Sequence, residues 1–258
     1  METLHSRDGT RIAYEVSGSG PALVLVNGAL SERGAFTRLR PLLDAHFTLI
    51  AYDRRGRGDS GDTAPYSPER ELEDLVAVLE AAGAPAFVFG HSSGAILALR
   101  AAMSGAPMRR LAVNEPPFIL PGTRTVPPRE ITARIAGLIA TNDREGALRT
   151  FLLEQVGLPP AAFEQMKSSP AWPRLLAIAH TAAYDSELAG DSALPVAPLS
   201  QLSVPTLVLN GTASFPWLAE TARALTQALP NARAVHLEGQ PHSPAADVLA
   251  PALLSFFQ

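Results

Sequence analysis

The 258-residue sequence contains no cysteine, and lysine is almost absent, since Lys167 is the only lysine among 21 basic residues. Without cysteine, the protein has no disulfide bond, no thiolate metal ligand and no cysteine nucleophile. The net charge is −4 and basic residues form no run, so the sequence lacks the features of a nucleic-acid-binding protein. Any catalytic chemistry must therefore use oxygen and nitrogen groups.

Long apolar runs are also missing. No stretch approaches the roughly 18 consecutive apolar residues that a transmembrane helix needs. The N-terminal residues METLHSRDGTRI are too charged to form the apolar core of a signal peptide. Hydrophobic residues make up 47% of the chain and charged residues 18%, a balance typical of a globular protein. We therefore expect a cytoplasmic protein, monomeric or homodimeric, with neither a membrane nor a nucleic acid as its partner.

Residues 1–115 alternate strand-like and helix-like patterns. RIAYEVSG (11–18) alternates apolar and polar residues, as a half-buried strand does. Four other runs have a continuous apolar stretch at their centre, which is typical of strands buried on both faces: ALVLVNG (22–28), FTLIAYD (47–53), AFVFG (86–90) and RLAVNE (110–115). Helical patterns separate these runs, over 32–45, 68–82 and 92–104. The alternation predicts a mainly parallel sheet with helices on both faces.

Residues 116–200 follow a different pattern, rich in proline and helix-forming residues and without a strand-like run. We predict that they form several short helices, a lid inserted into a core made of residues 1–115 and 201–258. The alternation resumes after the lid, with strands in VPTLVLNG (204–211) and ARAVHLEG (232–239) and helices over 216–229 and 245–257.

The stretch FVFGHSSGAI (87–96) contains the pattern G-x-S-x-G with Ser92 at its centre. A buried strand precedes the pattern and a helix-forming segment follows it, which is the context that a nucleophile on a tight strand-to-helix turn requires. Glycines allow close packing at such a turn. Ser93 fits less well, because the residues two positions away are not glycines. The alternative reading is an ordinary glycine-lined turn.

A serine hydroxyl is a poor nucleophile without a base. Among the six histidines, His242 lies in the loop after the last predicted strand, where proteins with this motif carry the base. We expect His236, inside a strand, to be structural, and His91 to shape the site rather than to act as the base. The remaining three are expected at the surface or in the lid: His5, His46 and His180.

Five segments make the sequence similar to the α/β-hydrolase fold family over essentially its whole length. They occur in the family's order: VLVNGAL (24–30), YDRRGRGDS (52–60), GHSSG (90–94), VPTLVLNG (204–211) and GQPHSP (239–244). The resemblance implies an α/β fold with a mostly parallel eight-stranded sheet, flanking helices and a helical lid after strand 6. It also implies a lid-bearing esterase or small-molecule hydrolase, with the backbone N–H groups of Ala29 and Ser93 as the oxyanion hole.

Two departures from the family pattern affect the site. Asn27 replaces the usual histidine before Gly28, and we expect its side chain to take over that hydrogen bonding. The usual acid after strand 7 is missing, because residues 211–214 (GTAS) contain no carboxylate. Glu115 follows strand 6, where some members of the fold place the acid, and a carboxylate buried there needs a partner such as His242. In the alternatives, Ser214 holds the histidine by a neutral hydrogen bond, or Glu115 pairs with an arginine or faces solvent.

These residues predict acyl transfer to water by a carboxylic ester hydrolase that forms an acyl-enzyme. Ser92 attacks an ester or a related carbonyl, His242 moves the proton, and Glu115 orients His242 and stabilises its cationic form. Asp53 is expected to be structural, ordering its loop against Arg54 or Arg57.

The substrate is expected to be a bulky, weakly charged small molecule in an apolar pocket. The candidate pocket residues are Leu30, His91, Phe118, Trp172, Tyr184, Phe215 and Trp217. The sequence has no histidine pair at metal-ligand spacing and no glycine-rich dinucleotide fingerprint, so we expect neither a metal nor a cofactor. The fold alone leaves open a lyase or cyclase, a C–C bond hydrolase of secondary metabolism, or a non-catalytic ligand-binding relative.

Overall fold

The computed structural model describes all residues from 1 to 258. Eight strands form one sheet in the order β1-β2-β4-β3-β5-β6-β7-β8. The β1–β2 and β2–β4 pairs are antiparallel, and the other five pairs are parallel. The strands are β1 (Glu2–His5), β2 (Arg11–Gly18), β3 (Ala22–Val26), β4 (Thr48–Tyr52), β5 (Ala86–His91), β6 (Met108–Asn114), β7 (Thr206–Gly211) and β8 (Ala232–Leu237). The predicted mostly parallel eight-stranded sheet is confirmed.

Helices connect the strands and cover both faces of the sheet. They are α1 (Arg40–Leu43), α2 (Pro68–Ala81), α3 (Ser93–Met103), α4 (Ile131–Ala140), α5 (Arg144–Arg149), α6 (Pro160–Lys167), α7 (Trp172–Ala177), α8 (Thr181–Ala189), α9 (Val196–Leu199), α10 (Pro216–Ala228) and α11 (Ala246–Phe257). A 3-10 turn spans Arg33–Phe36, and a π-helical segment over Thr150–Val156 continues α5. Helices α4–α9 all lie between β6 and β7, and we call residues 116–200 the helical segment. None of these helices has the length and apolar character needed to cross a membrane.

Side chains alternate between the two faces of the sheet, and both faces are apolar. In β3, Leu23 and Leu25 belong to one buried cluster of 19 residues, whereas Val24 and Val26 belong to a cluster of 29 on the opposite face. Successive strand residues point to opposite faces, so a strand covered on both sides reads as a continuous apolar run. A third, smaller core of nine residues lies mainly within the helical segment.

Two elements differ from the patterns in the sequence. The pattern over 32–45 forms only the 3-10 turn and the short helix α1, because Gly34 weakens a helix and Pro41 is tolerated only in its first turn. Residues 2–5 form β1, which the sequence did not reveal. This edge strand is mostly exposed, so it lacks the apolar run that marks the buried strands.

The strand order brings distant parts of the chain to one edge of the sheet. His91 at the end of β5 pairs in register with Asn114 at the end of β6, and Asn114 pairs with Leu209 of β7. Parallel strands end at the same edge, so the residues that follow them are neighbours in space. Ser92 and Glu115 are the next residues after β5 and β6, and the sheet therefore places them side by side.

Gly94 allows helix α3 to approach the end of β3 very closely. A Cβ atom added at Gly94 would lie 2.3 Å from the carbonyl oxygen of Asn27 and 2.5 Å from that of Val26. Both neighbours are backbone atoms, which cannot move without shifting the strand. The second glycine of the G-x-S-x-G pattern is thus required by packing.

The substitution Gly94→Ala is expected to destabilise the protein by about 1–3 kcal/mol or more, because the methyl group overlaps the backbone of β3. Gly137→Ala is the matched control: Gly137 also lies inside a helix, but a Cβ there meets nothing within 4 Å. Removing a glycine from a helix at such an open position is expected to stabilise by about 0.5–1 kcal/mol. Urea unfolding of both variants measures the two effects, and a Gly94→Ala variant as stable as the wild type would contradict the packing argument.

Candidate active site

Ser92 occupies a strained turn between β5 and α3. Its backbone has φ 54° and ψ −122°, values that residues with a side chain rarely adopt. The turn is held by the Ser92 N–H, which donates to the carbonyl of Asn114 at 2.9 Å. A Cβ at Gly28 would lie 3.0 Å from the Ser92 Cβ, so the loop after β3 packs directly against this turn. The strain presents the Ser92 side chain at the carboxyl edge of the sheet.

Glu115 lies immediately after β6 and is almost completely buried, with 1% of its surface exposed. Its carboxylate accepts hydrogen bonds from the Gly211 N–H at 2.8 Å, the Ser214 hydroxyl at 2.7 Å and the His242 Nδ1 at 2.5 Å. Three donors compensate for the removal of this carboxylate from water. Ser214 thus bonds to Glu115 and not to His242.

His242 is oriented by its Nδ1 bond to Glu115. An ionised carboxylate only accepts hydrogen bonds, so Nδ1 carries the hydrogen. Nε2 then has a free lone pair and can accept a proton. His242 and Ser92 line the same two cavities, although no hydrogen bond joins the imidazole to the Ser92 hydroxyl in the structure. Hydrogen bonds of this kind are often long before a substrate binds.

Two backbone N–H groups beside Ser92 lack partners in the chain. The Ala29 N–H donates to no other group. Ser93 is the first residue of α3, where no preceding turn offers an acceptor for its N–H. The Ser93 hydroxyl, by contrast, donates to Asp185 at 2.8 Å and accepts from Arg54 at 2.9 Å. This side chain is already used in a buried network, which disfavours Ser93 as a nucleophile.

A fully buried arginine, Arg54, links the elements around the site. Its guanidinium forms two bonds to Glu71 of α2, at 2.7 and 3.0 Å, and one to Asp185 of α8, at 2.9 Å. It also donates to the carbonyl of Asn27, at 3.3 Å. Arg57 completes the network with a 2.8 Å bond to Asp185. Two positive and two negative charges therefore balance each other beneath the Ser92 turn.

The prediction that Asp53 orders its loop against Arg54 or Arg57 is wrong. Asp53 pairs with Arg33, accepting from both its backbone N–H, at 2.7 Å, and its guanidinium. Arg54 and Arg57 point in the other direction, toward α2 and α8, because the acidic residues that can neutralise them lie there. Asp53 still orders its loop, since it also accepts from the Asp59 N–H at 3.0 Å.

His91 and His242 lie next to each other, with ring centroids 4.8 Å apart. The Asn114 amide nitrogen bonds to His91 Nδ1 at 3.0 Å and to the His242 carbonyl at 3.1 Å. Burial, together with the neighbouring His242, lowers the pKa of His91 to about 3. His91 is therefore neutral at neutral pH, and its Nδ1 accepts from Asn114.

Two cavities meet at Ser92 and His242. The larger one has a volume of about 800 Å³ and is mostly apolar. The smaller one, of about 70 Å³, lies on the side of Phe215 and Trp217. Ala29 and Phe151 line both cavities, so the two spaces converge on the serine, the histidine and one of the free N–H groups.

The predicted pocket residues divide into two groups. Leu30 and His91 line the larger cavity, and Phe215 and Trp217 line the smaller one. Three others line neither cavity, because each is engaged elsewhere. Phe118 is buried in the main core, Trp172 packs edge-on against Phe163, and Tyr184 stacks on Tyr66 with ring centroids 4.1 Å apart.

Several residues that line the cavities had not been predicted. Phe151, Gln155 and Val156 come from the π-helical segment, and Arg124 from the loop before α4. The π-helical segment ends at Gly157, whose φ of +83° is typical of a helix C-terminus. The sequence predicts only several short helices in this part of the chain. It does not reveal which side of the π-helical segment faces Ser92, because this depends on how the helical segment docks.

The remaining histidines lie away from Ser92. His236 bonds to Asn210 at 2.6 Å within the sheet, and His180 lies 3.4 Å from Asp62. His5 and His46 are exposed. The structure contains no cluster of three or more His, Asp or Glu side chains that could hold a metal ion.

A mostly parallel sheet with a strained serine turn at its carboxyl edge is the architecture of α/β proteins with a nucleophile elbow. A family model described as "Alpha/beta hydrolase family" matches residues 23–252, and the chain belongs to this family.

Individual relatives agree with this membership. The chain is similar over its whole length to the crystal structure of an alpha/beta hydrolase from Sphaerobacter thermophilus, with 50% identity, 100% of both chains covered and a TM-score of 0.96. A hydrolase from Pseudomonas aeruginosa is 25% identical, with a TM-score of 0.77 and with 99% of this chain and 97% of that one covered. N-formylmaleamate deformylase of Pseudomonas putida is 36% identical over 127 residues, which cover 47% of each chain. The match thus spans about half the length of that curated relative.

The lowered pKa of His91 predicts a pH effect on stability. Between the unfolded pKa near 6.5 and the folded value of about 3, the unfolded chain binds a proton at His91 that the folded chain does not. Stability is therefore expected to fall as the pH decreases through this range, by up to about 1.4 kcal/mol per pH unit. His91→Gln should show a shallower fall than the wild type in denaturant unfolding at pH 3.5–6.5. His5→Gln removes an exposed imidazole and is the control. Equal slopes for wild type and His91→Gln would contradict the assignment.

Proposed function

We propose that the protein is a serine hydrolase that cleaves an ester or a related acyl group of a small molecule through an acyl-enzyme. The observation that carries the proposal is the buried Glu115–His242 hydrogen bond, formed beside a serine on a strained turn. Membership of the alpha/beta hydrolase family supports hydrolase activity on a small molecule. The deformylase relative supports including N-formyl amides among the candidate substrates.

In the proposed mechanism, Ser92 attacks the carbonyl carbon while His242 Nε2 accepts the hydroxyl proton. Glu115 keeps the hydrogen on Nδ1 and stabilises the imidazolium that forms. The free N–H groups of Ala29 and Ser93 hold the oxyanion at the positive end of α3. His242 then protonates the leaving group, and water, activated by the same histidine, hydrolyses the acyl-enzyme.

The helical segment is proposed to act as a lid. Five of its side chains line the larger cavity, and all five are apolar: Phe151, Leu152, Val156, Met166 and Leu175. Asp185 of α8 fastens it to the core through Arg54 and Arg57. The apolar lining supports a substrate with an apolar portion on this side. The cytoplasmic location and the monomeric or homodimeric state stay predictions from the sequence.

A panel of small esters and N-formyl amides, assayed with wild type, Ser92→Ala and Ser93→Ala, tests the assignment of the nucleophile. Ser92→Ala is expected to lose at least about 10³-fold in kcat, because no covalent intermediate can form. Ser93→Ala is the matched control and is expected to keep most of the activity, because its hydroxyl is bonded to Arg54 and Asp185 and these two charges keep their other partners. Turnover that survives in Ser92→Ala and disappears in Ser93→Ala would overturn the proposal.

Substitution of Glu115 and of Ser214, which donates a hydrogen bond to it, tests the assignment of the acid. Glu115→Gln is expected to lower kcat by about 10³–10⁴-fold, because a neutral amide does not stabilise the imidazolium and can favour the wrong tautomer. Ser214→Ala removes only one of three hydrogen bonds to the carboxylate and is expected to lower kcat by about tenfold or less. If Ser214→Ala abolishes turnover and Glu115→Gln does not, Glu115 is not the acid.

A further inference from the structure

Arg124 is a half-buried arginine in the wall of the smaller cavity, which Ser92, Ala29 and His242 also line. Its position is fixed by the end of the π-helical segment. Nη1 donates to the carbonyl of Val156 at 2.9 Å and Nη2 to that of Gln155 at 2.9 Å. Its guanidinium carbon also lies 4.9 Å from the centre of the Trp217 ring. The cation is therefore held in place before any ligand arrives.

No carboxylate neutralises Arg124, which forms none of the salt bridges in the structure. The nearby acidic groups are already paired. Asp185, which also lines the smaller cavity, accepts from Arg54 and Arg57. Glu154, which lines a third cavity together with Arg124, forms two bonds to Arg134, at 2.6 and 2.8 Å. Burial, with no acid to offset it, lowers the pKa of Arg124.

Some polar groups in the wall of this cavity have no hydrogen-bond partner. The Arg124 side chain has three hydrogen bonds, the third a 3.3 Å contact from Nε to the Thr125 carbonyl. A guanidinium has five N–H donors, so two remain available. Gln155 lines the same cavity, and its buried Oε1 has no partner. A cation with spare donors thus faces a space of about 70 Å³, which is large enough for a few small polar groups, and the Gln155 Oε1 beside it can accept only from a donor elsewhere on the ligand.

We propose that Arg124 is a specificity-determining residue that binds a carboxylate carried by the short arm of the substrate. The inference rests on the proposed function in treating the ligand as a substrate. The binding of a carboxylate requires only the cavity and Arg124. The guanidinium matches a carboxylate geometrically, and its fixed position means that little conformational freedom is lost when the ligand binds. The predicted substrate is thus a small ester or amide that carries an ionised carboxylate on its acyl side or on its leaving-group side, with any apolar part in the larger cavity. This differs from the weakly charged substrate expected from the sequence.

A structural role for Arg124, binding the last carbonyls of the π-helical segment, makes a different prediction. In that case Arg124 would affect the binding of charged and neutral ligands alike. The test therefore uses pairs of esters that have the same shape and differ in charge. Monoethyl succinate and ethyl 4-methylpentanoate place the difference on the acyl side. Acetoxyacetate and isobutyl acetate place it on the alcohol side.

Dissociation constants are measured by calorimetry or protein NMR on Ser92→Ala, which binds without turnover, and on Ser92→Ala combined with Arg124→Gln. In at least one pair, the anionic ester is expected to bind ten- to a hundredfold more tightly than its neutral partner. Arg124→Gln should remove that preference and leave the neutral ester within about twofold of its original value. The control Arg7→Gln, which removes an exposed arginine outside this cavity, should change neither.

The proposal is overturned if neutral esters bind as tightly as anionic ones in both pairs, or if Arg124→Gln weakens both members of a pair equally. Because binding is measured without turnover, the result is independent of the reaction. An anion preference in a protein whose wild type hydrolyses no ester or N-formyl amide would contradict the proposed function and leave the assignment of Arg124 intact.

Discussion

The carboxylate of Glu115 is the constraint on which the arrangement of the site depends. It is buried at the end of β6, where a charge is tolerated only if hydrogen-bond donors surround it. The donors come from the last residue of β7, from the loop that follows it and from the loop after β8. Satisfying one buried charge thus fixes two loops and the orientation of His242, which lies in the second of them. The same contact that stabilises the fold sets the tautomer that a general base requires.

The buried network around Arg54 supplies the second constraint. It joins the loop after β3, the turn at Ser92, helix α2 and helix α8 through one guanidinium. A buried charge that loses a partner is strongly destabilising, so these four elements are held in one arrangement. Two of them carry the N–H groups of Ala29 and Ser93, and α8 belongs to the helical segment. The network therefore connects the residues around Ser92 with the helical segment, which lines both cavities.

The sequence predicted those parts of the protein that depend on chain order and on local pattern. The apolar runs gave the central strands, and the glycines around Ser92 indicated the tight turn, since the packing at Gly94 leaves no room for a side chain. Glu115 could be singled out because the acid after β7 is missing and because the resemblance to the fold family implies the end of strand 6 as the other position for the acid. The family model later showed the membership that the motifs implied.

The predictions were less accurate for residues whose role depends on tertiary contacts. Phe118, Trp172 and Tyr184 have the composition of pocket residues but pack against the core, Phe163 and Tyr66. Arg124 carried no signal in the sequence, because its significance comes from the absence of a carboxylate around it. Such an absence depends on the placement of every acidic residue nearby, which only the folded chain reveals.

Reaction with a fluorophosphonate, followed by intact-protein and peptide mass spectrometry, tests the central claim most directly. A hydroxyl becomes reactive toward this reagent only if a base activates it, and the oxyanion donors stabilise the product. We expect a single adduct on Ser92, formed rapidly by the wild type and much more slowly when His242 is replaced by alanine. A folded protein that remains unlabelled, or that is labelled on another residue, would contradict the assignment of Ser92, His242 and Glu115 as a working unit.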